Sequence, residues 1–374
     1  MATNGAIVDH VQVEENSHVR TIILNRAHKL NSLSSQMVSR LHEVFVACEK
    51  DPEVKLVSLK GNGKAFCVGG DIAEQIYVST EGHWRLGAKI FESLYNLIYK
   101  IATLDKPQVS ILNGMVMGAG CGISIPGRFR VVTEKTVFAM PEAAMGINIG
   151  VSFFLSRLPG FFGEYIGLTG ARLDGTEMLA CGIATHFVPS TKLSLLEEAL
   201  NKVNTSDPDI ISAVIDKFSE QPPLQEGSAY HRLDIIGRCF SRNTVENIIL
   251  TLETEFVKAG DAWISEAVHL MNKASPICLK VFLKSMREGR LQGLGQCFAR
   301  EYRISCHGLQ VGQDMFEGYR AYFLRKDHTP KWEPSRLELV TDEMVDSYLL
   351  KVDDDEWEDL VLPVKSNSST MAKL

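Results

Sequence analysis

The spacing of apolar residues changes character near residue 190. Before that point, short runs rich in Val, Ile and Phe alternate with longer helical patterns. The runs 19–24, 54–59, 107–112, 129–132 and 136–140 read as strands, most of them stopping near Asn, Gly or Pro. Between the first two, Ser34 stands where it can cap a helix whose apolar residues Val38, Leu41, Phe45 and Cys48 recur at helical spacing. A second, longer helical pattern covers 84–102. The order strand, strand, helix repeats without sequence identity. Beyond 190 the segments 193–203, 210–218, 244–258, 262–272, 276–286, 291–307 and 314–323 all read as helices. Gln221-Pro222-Pro223 and Ala259-Gly260-Asp261 punctuate them. The pattern predicts an α/β core over 10–205, a helical region over 206–345 and an acidic, polar tail over 346–374. The acidic run from Asp353 to Asp359 is expected to be a solvated face.

Two small-residue turns follow strand-like runs about fifty positions apart. The first is Ala65-Phe66-Cys67-Val68-Gly69-Gly70-Asp71; the second runs from Gly114 through Gly118-Ala119-Gly120 to Gly122. Residues with little side chain let a ligand approach main-chain N–H groups. Two such groups aimed at one point would polarise a carbonyl and stabilise an oxyanion. Pro141-Glu142 follows and offers a carboxylate. A nucleotide reading fails on the residues: after Gly61-Asn62-Gly63-Lys64, Ala65 stands where a phosphate loop needs Ser or Thr.

Composition narrows the classes. With 45% hydrophobic and 23% charged residues and a formal charge of −7, the chain has ordinary globular composition and no basic footprint for nucleic acid. No apolar stretch reaches the roughly 18 residues of a membrane span. Eight cysteines without a CxxC pair suggest neither a zinc site nor a disulfide framework. Cys67 and Cys121 have no sequence-evident base and are expected to be buried thiols. His186 is expected at a packed strand end, and Glu92 is discounted as a catalytic acid.

The motifs together resemble the crotonase (enoyl-CoA hydratase/isomerase) superfamily. Matching segments are Asn25-Arg26 with Asn31-Ser32-Leu33, the two turns, Phe138-Ala139-Met140-Pro141-Glu142, Leu168-Thr169-Gly170 and Ala184-Thr185-His186-Phe187-Val188-Pro189. Within it the chain looks most like the 3-hydroxyisobutyryl-CoA hydrolases. Ser156-Arg157-Leu158-Pro159-Gly160, Glu317-Gly318 with Arg320-Ala321, and Lys331-Trp332 carry that closer likeness. The resemblance implies a crotonase-like spiral of ββα units followed by an extended α-helical C-terminal region. It also implies main-chain oxyanion donors at Gly70 and Ala119 and a catalytic carboxylate at Glu142, acting as base or nucleophile. Arg26 and Lys29 stand where a loop could meet the CoA phosphates.

A hydratase of this superfamily carries a second carboxylate where Gly122 stands, because adding water across C=C uses coupled acid and base groups. Its absence argues for thioester hydrolysis. The hydrolases also carry Phe-Pro-Asp before Val-Gly; here two residues are missing and Asn148 takes the aspartate's place. An amide can hydrogen-bond an acyl hydroxyl but cannot ionise. The expected function is hydrolysis of 3-hydroxyisobutyryl-CoA in valine breakdown. The alternatives are another crotonase reaction, such as isomerisation, or a weakly active or non-catalytic acyl-CoA-binding paralogue. No metal or cofactor is expected beyond the CoA of the substrate, and a homo-oligomer is compatible with the helical region. Ala372-Lys373-Leu374 is a close variant of Ser-Lys-Leu and predicts a peroxisomal import receptor as partner, while residues 1–5 show no signal or transit pattern.

Overall fold

The computed structural model describes residues 9–147, 152–310 and 313–363. The chain opens with a hairpin, β1 (Val11–Asn16) and β2 (Val19–Leu24), followed by α1 (Ser35–Lys50). Ser34 caps α1 by accepting the Met37 N–H, and Val38, Leu41, Phe45 and Cys48 all face inward, as their spacing predicts. Next come β3 (Leu56–Gly61), β4 (Ala65–Cys67), α2 (Ile72–Glu81) and α3 (Trp84–Ala102). A second unit follows with β5 (Gln108–Leu112), β6 (Met115–Met117) and α4 (Ala119–Ser124). The third has β7 (Phe129–Val132), β8 (Val137–Ala139) and the short helices α5 (Ser152–Leu155) and α6 (Phe162–Thr169). β9 (Leu173–Asp174), α7 (Gly175–Ala180) and β10 (His186–Phe187) close the spiral.

Each unit sends its first strand to one sheet and its second to another. The larger sheet runs β1-β2-β3-β5-β7-β10 and the smaller β4-β6-β8-β9. β2, β3, β5, β7 and β10 are mutually parallel, and β1 is antiparallel at the edge. Parallel strands buried on both faces read as continuous apolar runs, which is why β2, β3, β5 and β7 are visible in the sequence. β1 is not, because Glu14 and Glu15 leave it with the polar face of an edge strand.

The helices α8 (Leu193–Leu200) and α9 (Pro208–Asp216) cover the outer face of the larger sheet. There Leu196, Leu200, Ile211 and Ile215 pack with Val19, Leu56, Val109 and Val131. The remaining helices are α10 (Leu233–Phe240), α11 (Val245–Ala259), α12 (Ala262–Lys273), α13 (Pro276–Gly289), α14 (Leu294–Gly308), α15 (Asp314–Tyr319) and α16 (Asp342–Leu349). They share the main core with the spiral, so the helical region completes the interior. The expected helix 314–323 divides: after Tyr319 the chain widens into a π turn over Arg320–Leu324.

The acidic run is more than a solvated face. Asp354 makes a two-oxygen contact with Arg85 of α3, Asp359 pairs with Arg303 of α14, and Trp357 stacks on Tyr302 at 5.8 Å. Val352 and Leu360 bury beside them, so this segment straps α3 to α14. Asn148 and Ala372-Lys373-Leu374 lie outside the described residues.

Candidate active site

The loop after β2 builds the floor of the site. Asn31, fully buried, accepts the Arg26 N–H at 2.8 Å and donates to the carbonyls of Asn62 and Ala65 at 2.9 Å each. Leu33 then bonds across to the first turn: its N–H donates to Gly69 O at 2.8 Å and its carbonyl accepts the Asp71 N–H at 2.9 Å. This ladder skips the Gly70 N–H. Asp71 is held from its other side by Arg26, Nη1 to Oδ2 at 2.7 Å. Arg26 therefore turns inward and fixes the turn. Lys29 stays exposed in the short 3-10 turn Ala27–Lys29.

The second turn meets the first directly. A side chain on Gly69 would stand 3.6 Å from the Ala119 N and 3.7 Å from the Gly118 Cα. Ala119 is the first residue of α4, where an N–H has no intrahelical acceptor. Neither the Gly70 nor the Ala119 N–H has an acceptor among the described residues, and both residues line one cavity with Glu142. The sequence expected this pair, and the tertiary structure brings it together. Gly118 sits at φ 51°, and a Cβ there would come within 2.8 Å of Glu142 Oε1. Only glycine permits both the dihedral and the approach of the carboxylate.

Glu142 starts the 3-10 turn Ala143–Met145, and its carbonyl accepts the N–H groups of Met145 and Ile147 at 2.9 Å. The residue is half-buried overall, but its Oε2 is sealed from solvent and has no hydrogen-bond partner among the described residues. Burial is the leading cause that pushes its pKa up to about 8, and no cation offsets it. Cys67 and Cys121 are fully buried close by; burial raises Cys67 to about 12, so neither is a thiolate nucleophile.

The C-terminal helices hold this turn from behind. The Ser275 N–H donates to Ala143 O at 3.1 Å, and Ser275 Oγ donates to the buried Asp314 at 2.5 Å. Gly318 lies so close that a Cβ would stand 1.9 Å from Met145 O. Glu317 accepts both Arg320 and the Lys331 N–H, and Trp332 Nε1 donates to Lys273 O at 2.9 Å. The Glu317-Gly318, Arg320-Ala321 and Lys331-Trp332 motifs thus clamp the helical region onto the turn bearing Glu142.

Gly122 is buried in α4, and a Cβ there would meet Ile98 Cδ1 at 2.6 Å. An isoleucine therefore fills the space a second carboxylate would enter. His186 is also structural: it is buried in β10, near Asp216 and Ser212 at 3.3 Å each, on the face covered by α9. Glu92 is exposed on α3. One lining residue escaped the sequence reading. Gln75 on α2 is 4% exposed, on the face it shares with Ile76 and Ser79. A polar residue recurring on an apolar helical face was the available signal.

Comparison with known proteins agrees with this geometry. The enoyl-CoA hydratase/isomerase family model matches residues 19–349. A 3-hydroxyisobutyryl-CoA hydrolase 1 of Arabidopsis thaliana is 55% identical over 98% of both chains. A probable 3-hydroxyisobutyryl-CoA hydrolase 3 of the same plant is 55% identical over 96% of both. Among solved structures, a carnitinyl-CoA dehydratase from Mycobacterium thermoresistibile superposes with TM-score 0.83 at 34% identity, covering 92% of this chain and 97% of its own. With two N–H groups that have no acceptor among the described residues lining one cavity with Glu142, and sequence likeness along nearly its whole length, this chain belongs to the enoyl-CoA hydratase/isomerase family.

Proposed function

We propose that the protein hydrolyses 3-hydroxyisobutyryl-CoA to 3-hydroxyisobutyrate and free CoA, a step of valine breakdown. The observation that carries this is that, among the described residues, one carboxylate lines the cavity beside two main-chain donors without acceptors, with Ile98 closing the place of a second acid. The names of the two Arabidopsis relatives support the substrate. In the reaction, the thioester oxygen accepts from the Gly70 and Ala119 N–H groups. Charge gathers on that oxygen as the carbonyl carbon becomes tetrahedral, and each donor contributes about 3 kcal/mol to the transition state. Ionised Glu142 takes a proton from water as the water oxygen attacks. Alternatively, Glu142 attacks first and water opens the resulting anhydride. Either way the C–S bond breaks and the proton passes to sulfur, giving free CoA. Water is the second reactant, so the reaction calls for no cofactor. We also propose that Lys29, which is exposed, meets the nucleotide phosphates of CoA.

Release of free CoA from 3-hydroxyisobutyryl-CoA by the purified chain tests the reading. Unchanged turnover in Glu142→Ala would remove its centre. Asn148, standing where the hydrolases carry aspartate, favours one other outcome: tight binding of the ester without CoA release marks an acyl-CoA-binding paralogue. The C-terminal Ala-Lys-Leu supports a peroxisomal location. A fluorescent fusion that enters peroxisomes equally well without residues 372–374 would argue against it.

A further inference from the structure

Resting on the hydrolase reading, we infer that Gln75 is a specificity-determining residue: its side-chain amide hydrogen-bonds the 3-hydroxyl of the acyl group. Apart from main-chain groups, the cavity holding Glu142 is lined by Val68, Ile72, Phe91, Leu94, Met145 and Ile147. Glu142 and Gln75 carry its only hydrogen-bonding side chains among the described residues. Glu142 is committed to the thioester carbon. Among the described lining residues Gln75 is left for the acyl group, in addition to Asn148, which the family resemblance sets at the same hydroxyl.

Two observations set Gln75 apart from a packed core amide. It is 4% exposed, yet no described residue hydrogen-bonds its side chain. Buried amides are nearly always paired, and an unpaired one facing a cavity points to a partner that arrives with the ligand. Its position also fits. Nε2 lies 3.5 Å from the point where a side chain on Gly70 would begin, beside one of the two oxyanion donors. A 3-hydroxyl sits two carbons beyond the carbonyl carbon. With the carbonyl oxygen anchored at Gly70, that hydroxyl comes within reach of the amide. Helix α2 fixes the register, because Asp71 both caps it and accepts the Gln75 N–H at 3.1 Å. The same Arg26–Asp71 pair that sets the oxyanion turn therefore sets Gln75. An amide offers one donor pair and one acceptor, so it can pair with a hydroxyl in either sense.

The test compares 3-hydroxyisobutyryl-CoA with isobutyryl-CoA, which lacks only the hydroxyl. The wild-type chain should favour the hydroxy ester in kcat/KM, and Gln75→Leu should collapse that ratio by about 10- to 100-fold. Gln75→Met, unbranched and close in volume, guards against a packing artefact and should show the same collapse. A ratio preserved within about twofold in both variants, with unfolding midpoints near wild type, overturns the inference. If the wild-type chain releases CoA from neither ester, the hydrolase reading fails by itself. Calorimetric binding of the two esters to wild type and Gln75→Leu then decides the residue: selective loss for the hydroxy ester supports the contact, and equal loss overturns it.

Discussion

Replacing Glu142 with Gln should abolish turnover and, at alkaline pH, make the protein more stable. Burial without a partner raises the Glu142 pKa from 4.5 to about 8. In the unfolded chain the carboxyl ionises near its ordinary value, whereas the folded protein keeps its proton to higher pH. Unfolding between pH 4.5 and about 8 therefore releases a proton, and wild-type stability falls as pH rises through that window. At about 1.4 kcal/mol per pH unit the loss reaches a ceiling of about 5 kcal/mol and stops growing once the folded carboxyl ionises. The glutamine of the Glu142→Gln variant does not titrate. The stability difference should be small near pH 5 and grow to a few kcal/mol by about pH 8, allowing for relaxation around the charge. Glu301, also raised by burial to about 7, is present in both proteins and cancels. Urea unfolding of both proteins from about pH 5 to about pH 9 measures the difference. The same ionisation should appear in function: wild-type kcat/KM should rise with pH and level off above about 8, since the carboxylate is the working form. A stability difference that stays flat across this range, or an activity that is flat up to about pH 8, refutes the assignment of a desolvated, unpartnered carboxylate.

Three further outcomes test the frame around it. Gly318→Ala should lower kcat by about 100-fold, because a methyl 1.9 Å from Met145 O must push the turn bearing Glu142, and displacements near 1 Å have that effect; steady-state kinetics on folded variant checks it. Gly122→Glu should destabilise by about 3 kcal/mol or more without adding hydratase activity, since it drives a charge against Ile98 in a dry interior; urea unfolding and an enoyl-CoA assay read both parts. Arg26 and Lys29 should separate: Arg26→Ala frees Asp71 and the oxyanion turn and should lower kcat about tenfold. Lys29→Ala should raise KM a few-fold at low salt only, as for an exposed charge meeting phosphate.

Much of the architecture was legible because its physics is local. Ser34 ahead of Val38, Leu41, Phe45 and Cys48 specified α1 with its cap, and the bounds of α3 match the helical pattern read over 84–102. Buried parallel strands announce themselves as apolar runs. Helix α2 was harder to see, since Gln75 and Ser79 interrupt its buried face while Tyr77 is exposed. The sequence also placed Gly70, Ala119 and Glu142 as partners, through turn chemistry and family likeness.

The sequence by itself determined the family, the main parallel strands, the helical character of the second half and the lack of a carboxylate at Gly122. Only the tertiary structure decided what those residues experience. Arg26, legible as a candidate phosphate contact, is paired with Asp71, because the chain returns 45 residues later to the same turn. The acidic run became a strap once Arg85 and Arg303 faced it. The basicity of Glu142 and a Gln75 amide with no partner among the described residues arise from enclosure by segments distant in sequence. Desolvation depends on everything that surrounds a group, and no local pattern records it.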